Sequence, residues 1–203
     1  MMSKETAKNI VDLLFQLYEE DNENKPINKH TYGIILDFIG GEPFMNVGTM
    51  DYTVEYFLEE CFRRDHIWLT NFRVSLSTNG ILYFKPEVQA FLHKYKNYIS
   101  MNVTIDGPKE IHDLCRVDYD GNGSFDRAIA AWEDWFHNVK ANDIDTKVTI
   151  APENLHLVES VFDFFLERGC RSIHANPVFE HHWTVKEAQE YYVILIHLAD
   201  KLL

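Results

Sequence analysis

Short apolar runs separated by segments of helical periodicity recur down this chain, and that alternation restricts it to a mostly parallel sheet with helices outside it. Residues 32–39 form a near-continuous apolar run closed by Gly40-Gly41, the pattern of a strand buried on both faces. Further strands are expected over 72–77, 100–105, 146–150 and 172–175. Helical spacing of Ile10, Val11, Leu13, Leu14, Leu17 and Tyr18 behind Ser3 as an N-cap predicts an opening amphipathic helix. A polar loop over 19–30, containing Pro26, follows it. Other helices are expected over 51–64, from Pro86, behind Ser124 with Phe125, Ile129, Trp132 and Phe136, and over 155–168 before Gly169. A Thr184/Glu187 capping box heads the last helix. Five strands and six helices result, and Phe57, Phe62, Phe91, Phe162 and Phe165 are expected to pack on the sheet with Trp132 and Phe136. Periodicity alone leaves a doubly wound sheet and a complete or partial barrel both open.

Size and charge narrow the function. With 203 residues, 46% of them hydrophobic, residues 1–203 are expected to form a single domain. A net charge of −13 without a clustered Lys/Arg run argues against nucleic acid or an anionic membrane surface as partner. No leader pattern or membrane-spanning run is present, and three cysteines, Cys61, Cys115 and Cys170, fit neither a disulfide framework nor a CxxC site. The expected location is the cytoplasm.

Ligands of parallel α/β folds bind at the carboxyl ends of the strands. The sharpest such turn here is Gly40-Gly41-Glu42-Pro43, where two glycines allow close approach to the backbone and the Glu42 carboxylate can pair with an ammonium group. A GGDEF-type cyclic-nucleotide synthase signature is only superficially similar, because Pro43 holds the fourth position. Residues 118–126 match the first nine positions of an EF-hand calcium loop, but Ile129 stands where the bidentate glutamate is needed. A helix-capping loop is the better reading. His181-His182 and His112-Asp113 lack metal-site spacing, so surface or hinge roles are expected of these histidines.

Four ordered segments carry more information together: residues 36–44 with Gly-Gly-Glu-Pro, residues 75–82 with Ser-Thr-Asn-Gly, residues 103–108 with Thr-Ile-Asp-Gly-Pro, and His112-Asp113 with Arg116 and residues 121–126. In this order they resemble radical S-adenosylmethionine (SAM) enzymes. The likeness, over about residues 30–180, is to the peptide and protein maturases, the branch of anaerobic sulfatase maturases that often carries a SPASM extension. The resemblance implies an α/β fold, a partial (β/α)6 TIM-like barrel of parallel strands missing its first strand. It implies that the chain begins just after a CxxxCxxC loop holding a [4Fe-4S] cluster in the parent chain, a cluster this fragment does not bind. It places Gly40, Gly41 and Glu42 at the methionine ammonium of SAM, and Thr104, where the family more often has serine, with Arg116 at its carboxylate. Thr78 and Asn79 are expected near the ribose or substrate, and Ile150 beside the adenine.

The resemblance therefore points to an oxidoreductase whose parent chain cleaves SAM to a 5'-deoxyadenosyl radical and modifies a peptide or protein side chain, the fragment alone being inactive. The competing class is a non-catalytic α/β module binding a nucleotide or a partner peptide, with calcium at 118–129 as a lesser variant. Loss of the first strand predicts an exposed sheet edge and self-association through it.

Overall fold

A computed structural model describes residues 1–118, 120–140, 145–170 and 172–202. The chain forms two compact units, Met1–Thr78 with Leu82–Met101, and Asn79–Ile81 with Asn102–Leu203.

In the first unit, α1 (Lys4–Glu20) begins where expected, the Ser3 hydroxyl accepting the Thr6 N–H at 3.0 Å. It is followed by β1 (Ile34–Phe38), a 3-10 turn (Pro43–Asn46), α2 (Val47–Arg63), a second 3-10 turn (Ile67–Leu69), β2 (Phe72–Thr78), α3 (Pro86–Tyr95) and β3 (Ile99–Val103), whose last two residues belong to the second unit. The sheet order is β1-β2-β3, and β1 and β2 run parallel with Leu36 opposite Val74 and Phe38 opposite Leu76. Ala7, Val11 and Phe15 of α1 are buried, as are Val54, Phe57 and Cys61 of α2. Phe15 lies 6.0 Å from Phe57 and 5.4 Å from Trp68 between ring centroids. The Trp68 indole N–H donates to the Thr31 carbonyl at 2.7 Å, which anchors the polar loop to this core.

Two expectations fail in this unit. Residues 32–39 are not buried on both faces: Leu36 is buried, while Ile35 is 63% and Ile39 70% exposed. The cause is the pleat: Ile35 and Ile39 share the face opposite Leu36, and only the Leu36 face is covered. Phe62 is exposed as well, because Phe57 and Cys61, four residues apart, define the inner face of α2 and Phe62 falls just past it.

The second unit contains α4 (Lys109–Cys115), α5 (Phe125–Asp134) continuing into a π-helical turn (Trp135–Val139), β4 (Asp145–Ile150), a 3-10 turn (Pro152–Leu157), α6 (Val158–Leu166), β5 (Ser172–Pro177) and α7 (Val185–Leu202). The helix α4 was not expected, so the described residues hold seven α-helices rather than six. β4 and β5 pair in parallel, Val148 opposite Ala175, and Thr104 joins Lys147 in an isolated parallel bridge. Trp132 packs 5.4 Å from Phe136 and 6.1 Å from Phe165, and Gly169 closes α6 at φ 78°. The capping box of α7 is formed, the Thr184 N–H donating to Glu187 at 2.7 Å and the Glu187 N–H to the Thr184 hydroxyl at 3.2 Å. The architecture is mixed α/β with parallel strand pairs, arranged among the described residues as a three-stranded and a two-stranded sheet. No described helix is long and apolar enough to cross a membrane.

Candidate functional site

At the carboxyl end of β1, Gly40 and Gly41 both take left-handed backbone angles, φ 91° and 52°. A Cβ at either position would meet nothing within 4 Å, so glycine is required there by conformation and not by lack of space. This double turn leads into Glu42, the N-cap of the 3-10 turn. Its Oε1 accepts the Phe44 N–H at 3.1 Å and the hydroxyl of Thr78, a residue 1% exposed at the end of β2, at 2.7 Å. Two adjacent strand ends are thereby tied through one carboxylate. The exposed glycine pair and the half-buried Glu42 form an electronegative turn able to receive an ammonium group.

The remaining expected residues lie in the second unit, where Asn79 uses its side-chain oxygen to accept the Ile81 N–H at 3.0 Å. Next to it, Gly80 has φ 75°, and an added Cβ would come within 3.2 Å of the Ala128 Cα and the Ala131 Cβ, so α5 packs against bare backbone. Thr104 is half-buried at its bridge to Lys147, and Ile150 is buried, its carbonyl accepting the Val178 N–H at 2.8 Å. Arg116 ends α4 and pairs with Asp106 through Nε, with Nη2 at 3.4 Å from the second carboxylate oxygen. Asp106 also accepts the Thr149 N–H at 3.1 Å. Arg116 thus already holds one carboxylate of its own chain.

Behind this pair lies a polar ring that the sequence reading missed. His112 is 1% exposed and not at the surface, because α4 turns it inward. Its Nδ1 accepts the Asp106 N–H at 3.2 Å, its Nε2 lies 3.0 Å from the Ser124 hydroxyl, and that hydroxyl donates to the Arg116 carbonyl at 2.8 Å. An accepting Nδ1 places the ring proton on Nε2, so His112 donates to Ser124 and cannot act as the base that would activate it. Burial holds the His112 pKa below the ordinary histidine value. Ser124, expected to cap α5, is therefore otherwise engaged, and Asp113 accepts the Phe125 N–H at 2.9 Å in its place. The available signal was the His-Asp pair six residues after Asp106, readable as a cap and a buried link only once α4 is known.

The calcium-like loop is closed by its own hydrogen bonds. Asp118 Oδ1 accepts the N–H groups of Asp120 at 3.0 Å and Asn122 at 2.9 Å, and Arg127 pairs with Oδ2 at 3.3 Å. The cysteines do not fit an iron-sulfur cluster. Cys61 lies in the first unit and Cys115 and Cys170 in the second, and no group of three or more His, Cys, Asp or Glu side chains among the described residues could hold a metal. Burial, with Glu60 adding to it, pushes the Cys61 thiol up to about 12, which keeps it protonated.

The fold belongs to a class already seen in SAM-binding maturases. It matches anSMEcpe, an anaerobic sulfatase maturating enzyme of the radical SAM type, in several solved structures. Native anSMEcpe with bound AdoMet aligns at TM-score 0.74 and 20% identity, covering 98% of this chain and 51% of that one. The same protein with bound AdoMet and Cp18Cys peptide gives TM-score 0.72, 21% identity and coverage of 98% and 52%. With AdoMet and Kp18Cys peptide the values are 0.69, 20%, 94% and 50%. The chain therefore spans about half the length of these structures. No protein-family model and no curated protein matches the sequence.

Proposed function

We propose that this chain is the SAM-binding portion of a radical SAM peptide or protein maturase, in which its own residues bind and orient the methionine end of the cofactor without cleaving it. The observation that carries this reading is the turn after β1: consecutive left-handed glycines followed by a carboxylate fixed through Thr78 and the Phe44 N–H. A neighbour of the same fold has AdoMet bound, and in other structures a peptide beside it, which supports SAM as cofactor and a peptide as substrate. Reductive cleavage is assigned elsewhere, because the three cysteines do not fit the cluster that would supply the electron. The roles expected of Thr104, Arg116, Asn79 and Ile150 rest on the sequence resemblance and add no weight here.

Equilibrium dialysis with labelled SAM tests the proposal. Saturable binding is expected, with weak competition by 5'-methylthioadenosine, which lacks the ammonium and the carboxylate. Gly41→Ala should weaken SAM by about tenfold, or ~1.4 kcal/mol. No binding to the folded chain would end the proposal, and 5'-deoxyadenosine made by this chain alone under reducing anaerobic conditions would contradict its second half. Equal affinity for both ligands would favour the nucleotide-binding module, since the glycine turn would then contribute nothing.

A further inference from the structure

The two faces of the strands in the second unit differ in kind. Parallel sheets are ordinarily apolar on both sides. Here one side follows that rule, since Val148 and Ile150 of β4 and the neighbouring Val103 and Ile105 are buried. The alternate residues Asn102, Thr104, Lys147, Thr149, His174 and Asn176 take the other side, and every one of them is polar. Register sets them in rows: Thr104 bridges Lys147, and Lys147 lies opposite His174. Thr149 lies opposite Asn176 in the next row towards the carboxyl ends. The His174 Nε2 is 3.5 Å from the Ser172 hydroxyl, two residues back on the same side. These polar groups do not satisfy one another. Half-buried Lys147 has no ion pair among the described residues, and the buried side-chain oxygen of Asn102 has no donor there. Asp106, two residues beyond Thr104, is already held by Arg116 and the Thr149 N–H. The acid on the lysine's own strand, Asp145, stands opposite Ser172, one row towards the amino ends. In a chain of net charge −13, an unpaired lysine on a half-buried face is the exception.

We propose that this polar face receives a carboxylate, and that the carboxylate is an acidic side chain of the peptide substrate. Lys147 supplies the opposite charge, and the Thr149 hydroxyl, the Asn176 amide and a ring N–H of His174 are donors placed around it. Neutral donors alone would suit a sugar or an alcohol, and the lysine decides for an anion. A phosphate, with a charge near −2, calls for more than one fixed cation. The row Thr104, Lys147 and His174 crosses three strands and spans about 10 Å at ~4.8 Å per strand. That is wider than one carboxylate and matches about three residues of an extended peptide. The carboxylate site stands on the second unit alone, whereas its assignment to a peptide rests on reading the chain as part of a peptide maturase. The competing source of the same chemistry is the carboxylate of SAM.

Three probes, each acetylated and amidated, test the proposal: a pentapeptide of alanines with a central glutamate, its glutamine counterpart, and glutamate by itself. They are titrated into the chain while NMR follows the side chains of Lys147 and His174. The glutamate pentapeptide should shift both residues and saturate, with the glutamine peptide about tenfold weaker and the single glutamate several-fold weaker. Lys147→Gln should abolish the preference for glutamate, and Lys147→Arg should keep most of it. Thermal midpoints show whether either variant is folded, and the comparison of the three probes needs no variant. Equal binding of the glutamate and glutamine peptides, or no shift with either, would overturn the proposal. A single glutamate as tight as the pentapeptide would overturn the peptide assignment. Dialysis of the same samples with labelled SAM separates the two readings. SAM affinity unchanged in Lys147→Gln is expected. A tenfold loss for SAM there, with 5'-methylthioadenosine unaffected, would make the carboxylate that of SAM and end the peptide assignment. Failure of the glutamate peptide where SAM still binds would sink this inference and leave the maturase reading intact. Glutamate preference without SAM binding would support the carboxylate site and end that reading.

Discussion

The hydroxyl of Thr78 donates to Oε1 of Glu42 at 2.7 Å across 36 residues of sequence, and the same oxygen caps the turn that follows Gly41. Thr78→Val keeps the shape and removes the donor. The chain should lose about 1 kcal/mol of stability, read as a lower urea midpoint with unchanged slope. SAM affinity should fall several-fold as Glu42 loosens. Unaltered SAM affinity in this variant would separate the Thr78 contact from cofactor binding.

Gly40→Ala and Gly41→Ala should each destabilise the chain by about 1–2 kcal/mol, because an L-residue is forced into the left-handed region. Gly48 provides the contrast: it lies within α2, an added Cβ meets nothing within 4 Å, and its φ is not positive. Gly48→Ala should stabilise by about 0.5 kcal/mol. Thermal denaturation of the three variants side by side checks both signs.

Acid should weaken the fold through its buried histidines. Burial depresses the pKa of His112, and also that of His66, below 6.5. Below pH 6.5 the unfolded chain therefore binds protons that the folded chain refuses, and stability falls as pH drops. Each histidine contributes up to about 1.4 kcal/mol per pH unit in that window. Midpoints measured between pH 7.5 and 5.5 should decline, and His112→Gln should be less stable at pH 7.5 yet show a shallower decline. An identical slope in the variant would mean that His112 is not the buried proton acceptor described.

Calcium at about 1 mM should leave the thermal midpoint unchanged, since ligand-linked stabilisation requires a site specific to the folded state, and the Asp118 carboxylate is already committed to the loop amides and Arg127. Gly123→Ala, in contrast, should be strongly destabilising, because its Cβ would collide with the Asp113 carboxylate that caps α5.

Much of this was legible in the sequence because caps and turns are local. Ser3, the Thr184/Glu187 box, Pro86 at the start of α3 and Gly169 after α6 all act over a few residues, and each is found in its expected role. What escaped depends on partners distant in the chain. Residues 32–39 read as a strand buried on both faces because hydropathy records the apolar side chains and not which face of the pleat the fold covers, and here Ile35 and Ile39 lie on the open one. The seven residues of α4 are too few for helical periodicity to register, and with that helix unseen the burial of His112 could not be inferred. At the candidate site, the ammonium-facing turn was readable from its glycines, whereas the Asp106 carboxylate that occupies Arg116 was not, because that pairing is set only by the tertiary fold.

Where Gly80 meets Ala128 and Ala131, the second unit has little room for a larger residue. A side chain at position 80 would be strained at φ 75° and would press to within 3.1–3.2 Å of Val103, Ala128 and Ala131, so these neighbours would have to give by a few tenths of an ångström. Random mutagenesis of this chain should return almost no tolerated substitutions at these three sites, and those that survive should come as compensating pairs. A survivor with a larger residue at 131 would show that the helix can slide, and would make this contact the most direct place to retune the spacing between α5 and the Gly80 turn.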